Sequence, residues 1–192
     1  MITRYYEELH NFIKQIKVRD KDGKDIELNS AVQRMIDIVL GQAAKGNKVM
    51  FIGNGGSAAI ASHMAVDYWK NGGIRALAFN DAALLTCLSN DCGYVNVFGR
   101  AVEMFADQGD VLMAISSSGK SENILNGVKA AQKNGCLVVT LSGFSEGNAL
   151  SKIGDLNFYV PSNMYSHVEI IHDSIIHYAL DMIMEGKRGG QS

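Results

Sequence analysis

Apolar positions recur at helical spacing through the first part of the chain and then change character. Ile2, Tyr5, Tyr6, Leu9, Phe12, Ile13 and Ile16 share one stripe of a helix predicted over residues 2–17. The polar run RDKDGKD at 19–25 interrupts it and reads as a solvated turn. Its glycine falls two positions early for a calcium-binding EF-hand loop. A second helix carries Val32, Met35, Ile36, Val39, Leu40 and Ala43, with Asn29 or Ser30 as its cap and Gly46 as its stop.

Beyond residue 46 short apolar runs alternate with helical patterns. The runs lie at 48–52, 74–79, 111–115, 137–141 and 156–160. Helical stretches are predicted at 57–70, 81–88 with 94–106, 121–133, a short one near 147–153, and a last one over about 166–185. Strands alternating with helices build βαβ units and a parallel sheet, and near-continuous apolar strands need helices on both faces. The expected fold is α/β: one flavodoxin-like domain over 1–192, with a five-stranded parallel sheet and an added N-terminal helical segment at 1–46. The GKRGGQS tail at 186–192 is expected to fray.

Composition narrows the field. With 192 residues, the chain suits about one domain, and 18 basic against 20 acidic residues give a net charge of −2. That balance argues against a general nucleic-acid grip. No apolar run is long enough to span a bilayer, and MITRYYEELHNFIKQIK lacks the apolar core and cleavage site of a signal peptide. Cys87, Cys92 and Cys136 are odd in number and show no CxxC spacing, so they read as reduced, mostly buried thiols of a cytoplasmic protein.

Two strands end in unusual loops. The first gives Gly53-Asn54-Gly55-Gly56-Ser57, and the third gives Ser116-Ser117-Ser118-Gly119-Lys120-Ser121. Both open helices, whose N-termini offer unpaired N–H groups and partial positive charge to an anion. In strand order 2-1-3-4-5 the first and third strands are neighbours at the topological switch point, so both loops would face one crevice. Taken singly, each has another reading. Gly53, Gly55 and Ala58, with Asp81 after the second strand, match a dinucleotide fingerprint. The GKS of the second loop resembles a P-loop, but Ala114 stands where its first glycine belongs.

A polar constellation accompanies the loops. His63 and Asp67 are four apart on one helix and so share a face. Glu169 and His177, eight apart on the last helix, differ by about 80° around its axis, with Asp173 between them. Convergence of the four would give a nitrogen–oxygen donor set suited to Zn²⁺. A His–Asp pair at this spacing is also an ordinary helix ion pair worth a few tenths of a kcal/mol. His10, His167 and His172 read as surface or satisfied core residues.

GNGGSA, then SND at 89–91, then ISSSGKS, in this order on these elements, resembles the sugar isomerase (SIS) family of phosphosugar-binding domains. Within it the chain is most similar to the phosphoheptose isomerases. The resemblance implies an aldose–ketose isomerisation of sedoheptulose 7-phosphate in bacterial surface heptose synthesis. It implies phosphate on Ser116, Ser117, Ser118 and Ser121, and sugar along Asn54, Gly55, Gly56, Ser57, Asn90, Asp91 and Glu169. A zinc ion on His63, Asp67, Glu169 and His177 is implied too, with Asp67 and His177 as acid/base pair and Glu169 as substitute base. The family has glutamate where Asp67 stands and glutamine where Glu169 stands. It also implies a homotetramer. Other readings of these features are a non-catalytic SIS-type adaptor for a protein partner and a dinucleotide-binding domain.

Overall fold

The computed structural model describes residues 1–189, in which seven strands form one sheet and seven helices flank it. The helices are α1 (Ile2–Ile13), α2 (Leu28–Ala43), α3 (Gly56–Lys70), α4 (Ala82–Cys92), α5 (Val97–Phe105), α6 (Glu122–Lys133) and α7 (Tyr165–Gly189). The strands are β1 (Lys17–Asp20), β2 (Asp25–Ile26), β3 (Val49–Gly53), β4 (Ala76–Ala78), β5 (Val111–Ser116), β6 (Leu137–Ser142) and β7 (Leu156–Tyr159). Their order is β2-β1-β7-β6-β5-β3-β4. The five strands expected from the apolar runs are parallel neighbours in the expected 2-1-3-4-5 order.

The sheet is nevertheless mixed and seven-stranded, not a five-stranded parallel one. The difference lies in the polar run at 19–25. Lys17–Asp20 lies antiparallel to β7, and Asp25–Ile26 folds back on it. The turn between them is held by Asp20, whose Oδ1 accepts from the N–H groups of Asp22 and Lys24. Only Val18 of β1 is buried, so the strand has almost no hydrophobic signature. The free edge of β7 recruits it.

Three helix boundaries also shift. α1 stops at Ile13, because the chain must turn into β1. Glu27, not Asn29 or Ser30, caps α2, its side chain accepting from the Ser30 N–H at 2.9 Å. Helix α7 continues to Gly189, so of the tail expected to fray only residues 190–192 lie outside the described part.

Alternation along the central strands sorts their side chains to two faces. Val111, Met113 and Ile115 of β5 join α1, α2, α3 and α7 in one core; Leu112 and Ala114 join α5 and α6 in the other. Phe51, Met113, Leu112 and Phe158 are fully buried, each contributing roughly 1.5–3 kcal/mol. Helix α4 buries no residue, so its Cys87 is exposed and its Cys92 half-buried, and of the three thiols expected to be mostly buried only Cys136 is. α1 buries only Leu9 and leaves Ile2 and Tyr6 more than 60% exposed, at 65% and 63%.

One polar cluster closes the sheet at the ends of strands opposite the two loops. Asp110, just before β5, accepts from the Lys48 N–H at 2.8 Å and from the Asp107 N–H at 2.7 Å. It also takes the Lys48 ammonium, which donates to Asp107 as well. Asp110→Ala would strand two N–H groups and leave a largely buried ammonium with Asp107 alone. The expected loss is about 3 kcal/mol, read as a lower urea midpoint with unchanged m-value; under about 1 kcal/mol would show that water replaces the carboxylate.

Candidate active site

Strands β3 and β5 run side by side with Gly53 opposite Ile115, so the loops that follow leave the sheet together. The glycine turn reverses direction at Gly55, whose φ of 55° suits glycine. Asn54 then meets Asn123 in the first turn of α6. Each amide donates to the other's oxygen at 2.9 Å, and the Tyr94 hydroxyl also donates to Asn54 Oδ1 at 2.8 Å. The two loops are thus cross-linked.

The serine loop is folded around its own hydroxyls. Ser116 Oγ accepts from the Gly119 N–H at 3.2 Å and lies 3.4 Å from Ser121 Oγ. Ser118 Oγ accepts from the Lys120 N–H. Ser121 is the N-cap of α6 but makes no capping bond, so its hydroxyl and the helix's first N–H groups remain available to an anion. The Ser117 hydroxyl is buried without a partner.

Behind this loop stand residues with no motif to announce them. Buried Asn148 donates to Ser142 Oγ and to the carbonyls of Gly143 and Ser145. The Gly143 N–H in turn donates to the Ser117 carbonyl. His172, fully buried on α7, places Nε2 3.1 Å from the Ser142 carbonyl. His167 is buried too, beside Tyr5 and Phe12 of α1 and with Nδ1 3.3 Å from Ser162 Oγ. His10 is exposed.

A groove of about 340 Å³ runs along the seam between α3 and α7, bordered by Gly56, Ile60, His63, Glu169 and Asp173. At its loop end the Glu169 carboxylate lies against Gly56, where a Cβ would overlap it. Further along, Asp67 Oδ2 is 3.4 Å from His63 Nε2, and Asp67 Oδ1 accepts from the Asn71 amide at 3.1 Å. The His63 and His177 rings are 5.3 Å apart. One donor atom from each of His63, Asp67 and His177 lies within 4.8 Å of the others.

The expected quartet is therefore a trio. Glu169 sits two turns back on α7, roughly 12 Å of helix rise from His177. Two imidazoles and a carboxylate are donors that Zn²⁺ accepts, and such a set leaves a fourth position open. Asn90 and Asp91 are exposed on α4, where the Asn90 amide donates to Asp91; neither bonds to either loop. Asp81 accepts from the Leu84 N–H as the cap of α4.

The SIS domain family model matches residues 4–143. The phosphoheptose isomerase of Helicobacter hepaticus is 37% identical over 166 residues, 83% of this chain and 84% of that one. The chain belongs to the SIS domain family, among the phosphoheptose isomerases. Two solved phosphoheptose isomerases share this SIS fold over nearly its whole length. That of Neisseria gonorrhoeae superposes with a TM-score of 0.81 at 28% identity, covering 95% of this chain and 96% of that one. That of Francisella tularensis gives 0.81 at 27% identity and 96% of both.

Two expectations arise from this geometry. Burial pushes the His172 pKa down to about 4, against a smaller upward pull from the Ser142 carbonyl. The unfolded chain then binds the proton first. Stability from the neutral ring is complete above about pH 6.5 and is lost as pH falls toward 4, about 3 kcal/mol in all. Urea midpoints measured from pH 7 to 4 should fall more steeply for the parent than for His172→Gln; parallel curves would contradict the buried neutral ring. Gly56→Ala should fold normally, because the end of Glu169 can swing aside, yet lower sugar phosphate turnover at least about tenfold if that carboxylate is needed in place.

Proposed function

We propose that the protein is a phosphoheptose isomerase, interconverting sedoheptulose 7-phosphate and D-glycero-D-manno-heptose 7-phosphate through an enediol. The observation that carries this reading is the cross-linked pair of loops on adjacent parallel strands, with a groove leading away from them. The kinship with phosphoheptose isomerases supplies the sugar.

In this reading the phosphate lies on the serine loop, held by Ser116, Ser118 and Ser121 and the first N–H groups of α6, with Ser117 behind. Asn54, Gly55, Gly56 and Ser57 guide the sugar into the groove, which Glu169 borders. Asn90 and Asp91 would need α4 to move before they could join, against the packing of Leu84, Leu85 and Leu88 on the core.

The ketose loses a proton from C1, and the enediol regains one at C2, while a proton passes from O1 to O2. A carboxylate serves the carbons and a second group serves the oxygens, each contributing typically ~10²–10⁴-fold. Asp67 takes the carbon-bound proton. Its carboxylate is oriented by Asn71 and His63, which keeps the shorter side chain in place. His177 relays between the oxygens, and Glu169, at the loop end, is the second available base. A zinc ion on His63, Asp67 and His177 would supply charge stabilisation to the enediolate.

The assembly proposed is a cytoplasmic homotetramer. The uncovered stripe of α1 is a face that a second copy would bury. Among the described residues no helix is long and apolar enough to cross a membrane.

The test is an isomerase assay on sedoheptulose 7-phosphate, with and without chelator. Asp67→Asn should abolish turnover while sugar phosphate binding persists, and Glu169→Gln should cost less; full activity in Asp67→Asn would refute the base assignment. Ser116→Ala and Ser121→Ala should raise KM with little change in kcat.

A further inference from the structure

Each histidine of the trio has a carboxylate four residues away on its own helix. On α3 it is Asp67, which belongs to the trio. On α7 Asp173 and Asp181 both stand at that spacing from His177 and outside the trio, and Asp173 is the one within reach: its Oδ1 is 3.6 Å from His177 Nε2, with the two side chains 39% and 36% exposed. Asp173 borders the same groove as His63 and Glu169. Glu169, Asp173 and His177 thus form a ladder at four-residue steps on the α7 face that looks toward α3.

An imidazole has two nitrogens, and in its neutral form one donates and the other accepts. Fixing the hydrogen bond of one nitrogen fixes the task of the other. The 3.6 Å contact exceeds hydrogen-bond length by roughly half an ångström. A small rotation of two half-exposed side chains closes it.

We propose that Asp173 is the positioning residue of His177: its carboxylate accepts from Nε2–H, so that Nδ1 is the nitrogen left with the lone pair. This rests on the reading of His63, Asp67 and His177 as a metal- and proton-handling cluster. Asp173 lies outside the trio of candidate metal donors. It sets which tautomer His177 adopts and how the ring is turned, as a carboxylate behind a ligating histidine does.

Two measurements test this on the full-length protein, with circular dichroism and thermal unfolding confirming that each variant folds. The first is zinc affinity by competition with a chromophoric chelator. Asp173→Ala should weaken it about 10–100-fold, while Asp173→Asn, which keeps an acceptor oxygen, should lose much less. The second uses metal-free, ¹⁵N-histidine-labelled protein at pH 8. Long-range ¹H–¹⁵N spectra should show His177 as the Nε2–H tautomer in the parent and as a mixture in Asp173→Ala.

Parent-like affinity and tautomer in Asp173→Ala would overturn the proposal. Equal loss of zinc in both variants with an unchanged tautomer would make Asp173 a ligand and overturn it equally. Failure of the parent to bind zinc, with no difference in His63→Ala, would sink the metal reading instead; the tautomer measurement, which needs no metal, still decides the role of Asp173.

Discussion

The reciprocal amide pair between Asn54 and Asn123 is the constraint on which the rest of the site depends. Each residue belongs to a different βα unit, and each side chain can satisfy both its donor and its acceptor on the other. Adjacent strands bring the two loops near one another; the amides fix their distance and orientation. An anion bound on α6 and a sugar passing the glycine turn then share one frame. Without the pair, the glycine turn would be free to move relative to α6.

Helix α7 carries a second burden. On one side His172 reaches under the end of β6, which supports the serine loop through Gly143. On another, Glu169 and His177 face α3. A rigid helix therefore links the phosphate end of the site to the proton-handling end. The chemistry on α7 is held by the core beneath it, where Val168, Ile171, Ile176 and Leu180 are buried.

Much of this was legible in the sequence. The parallel sheet followed from the alternation of apolar runs with helical patterns, its order from the flavodoxin-like type, and the two loops from glycine and serine at strand ends. His63 with Asp67 was visible because four-residue spacing is a local property. What escaped was non-local. The first two strands have one buried side chain in Val18 and are strands only because β7 offers an edge. Phase around α7 allowed Glu169 to join His177, but rise along it carries them apart, and Gly56 opens a seat for Glu169 beside the glycine turn. Asn123 and Asn148 belong to no motif and matter only through what they touch. A composition shift marks neither. Asn90 and Asp91 match a family pattern, yet α4 holds them on its exposed surface.

The antiparallel pairing of β1 with β7 has a consequence for synthesis. Arg19 and Asn157, which meet across that pair, are 138 residues apart. A ribosome releases the first strand long before its neighbour exists, so the amino-terminal segment must wait, partnerless, while the central strands assemble. The sheet's last seam is sewn only when the chain is nearly complete, and nascent chains stalled before residue 156 would carry both the orphan strand and the open edge of β6.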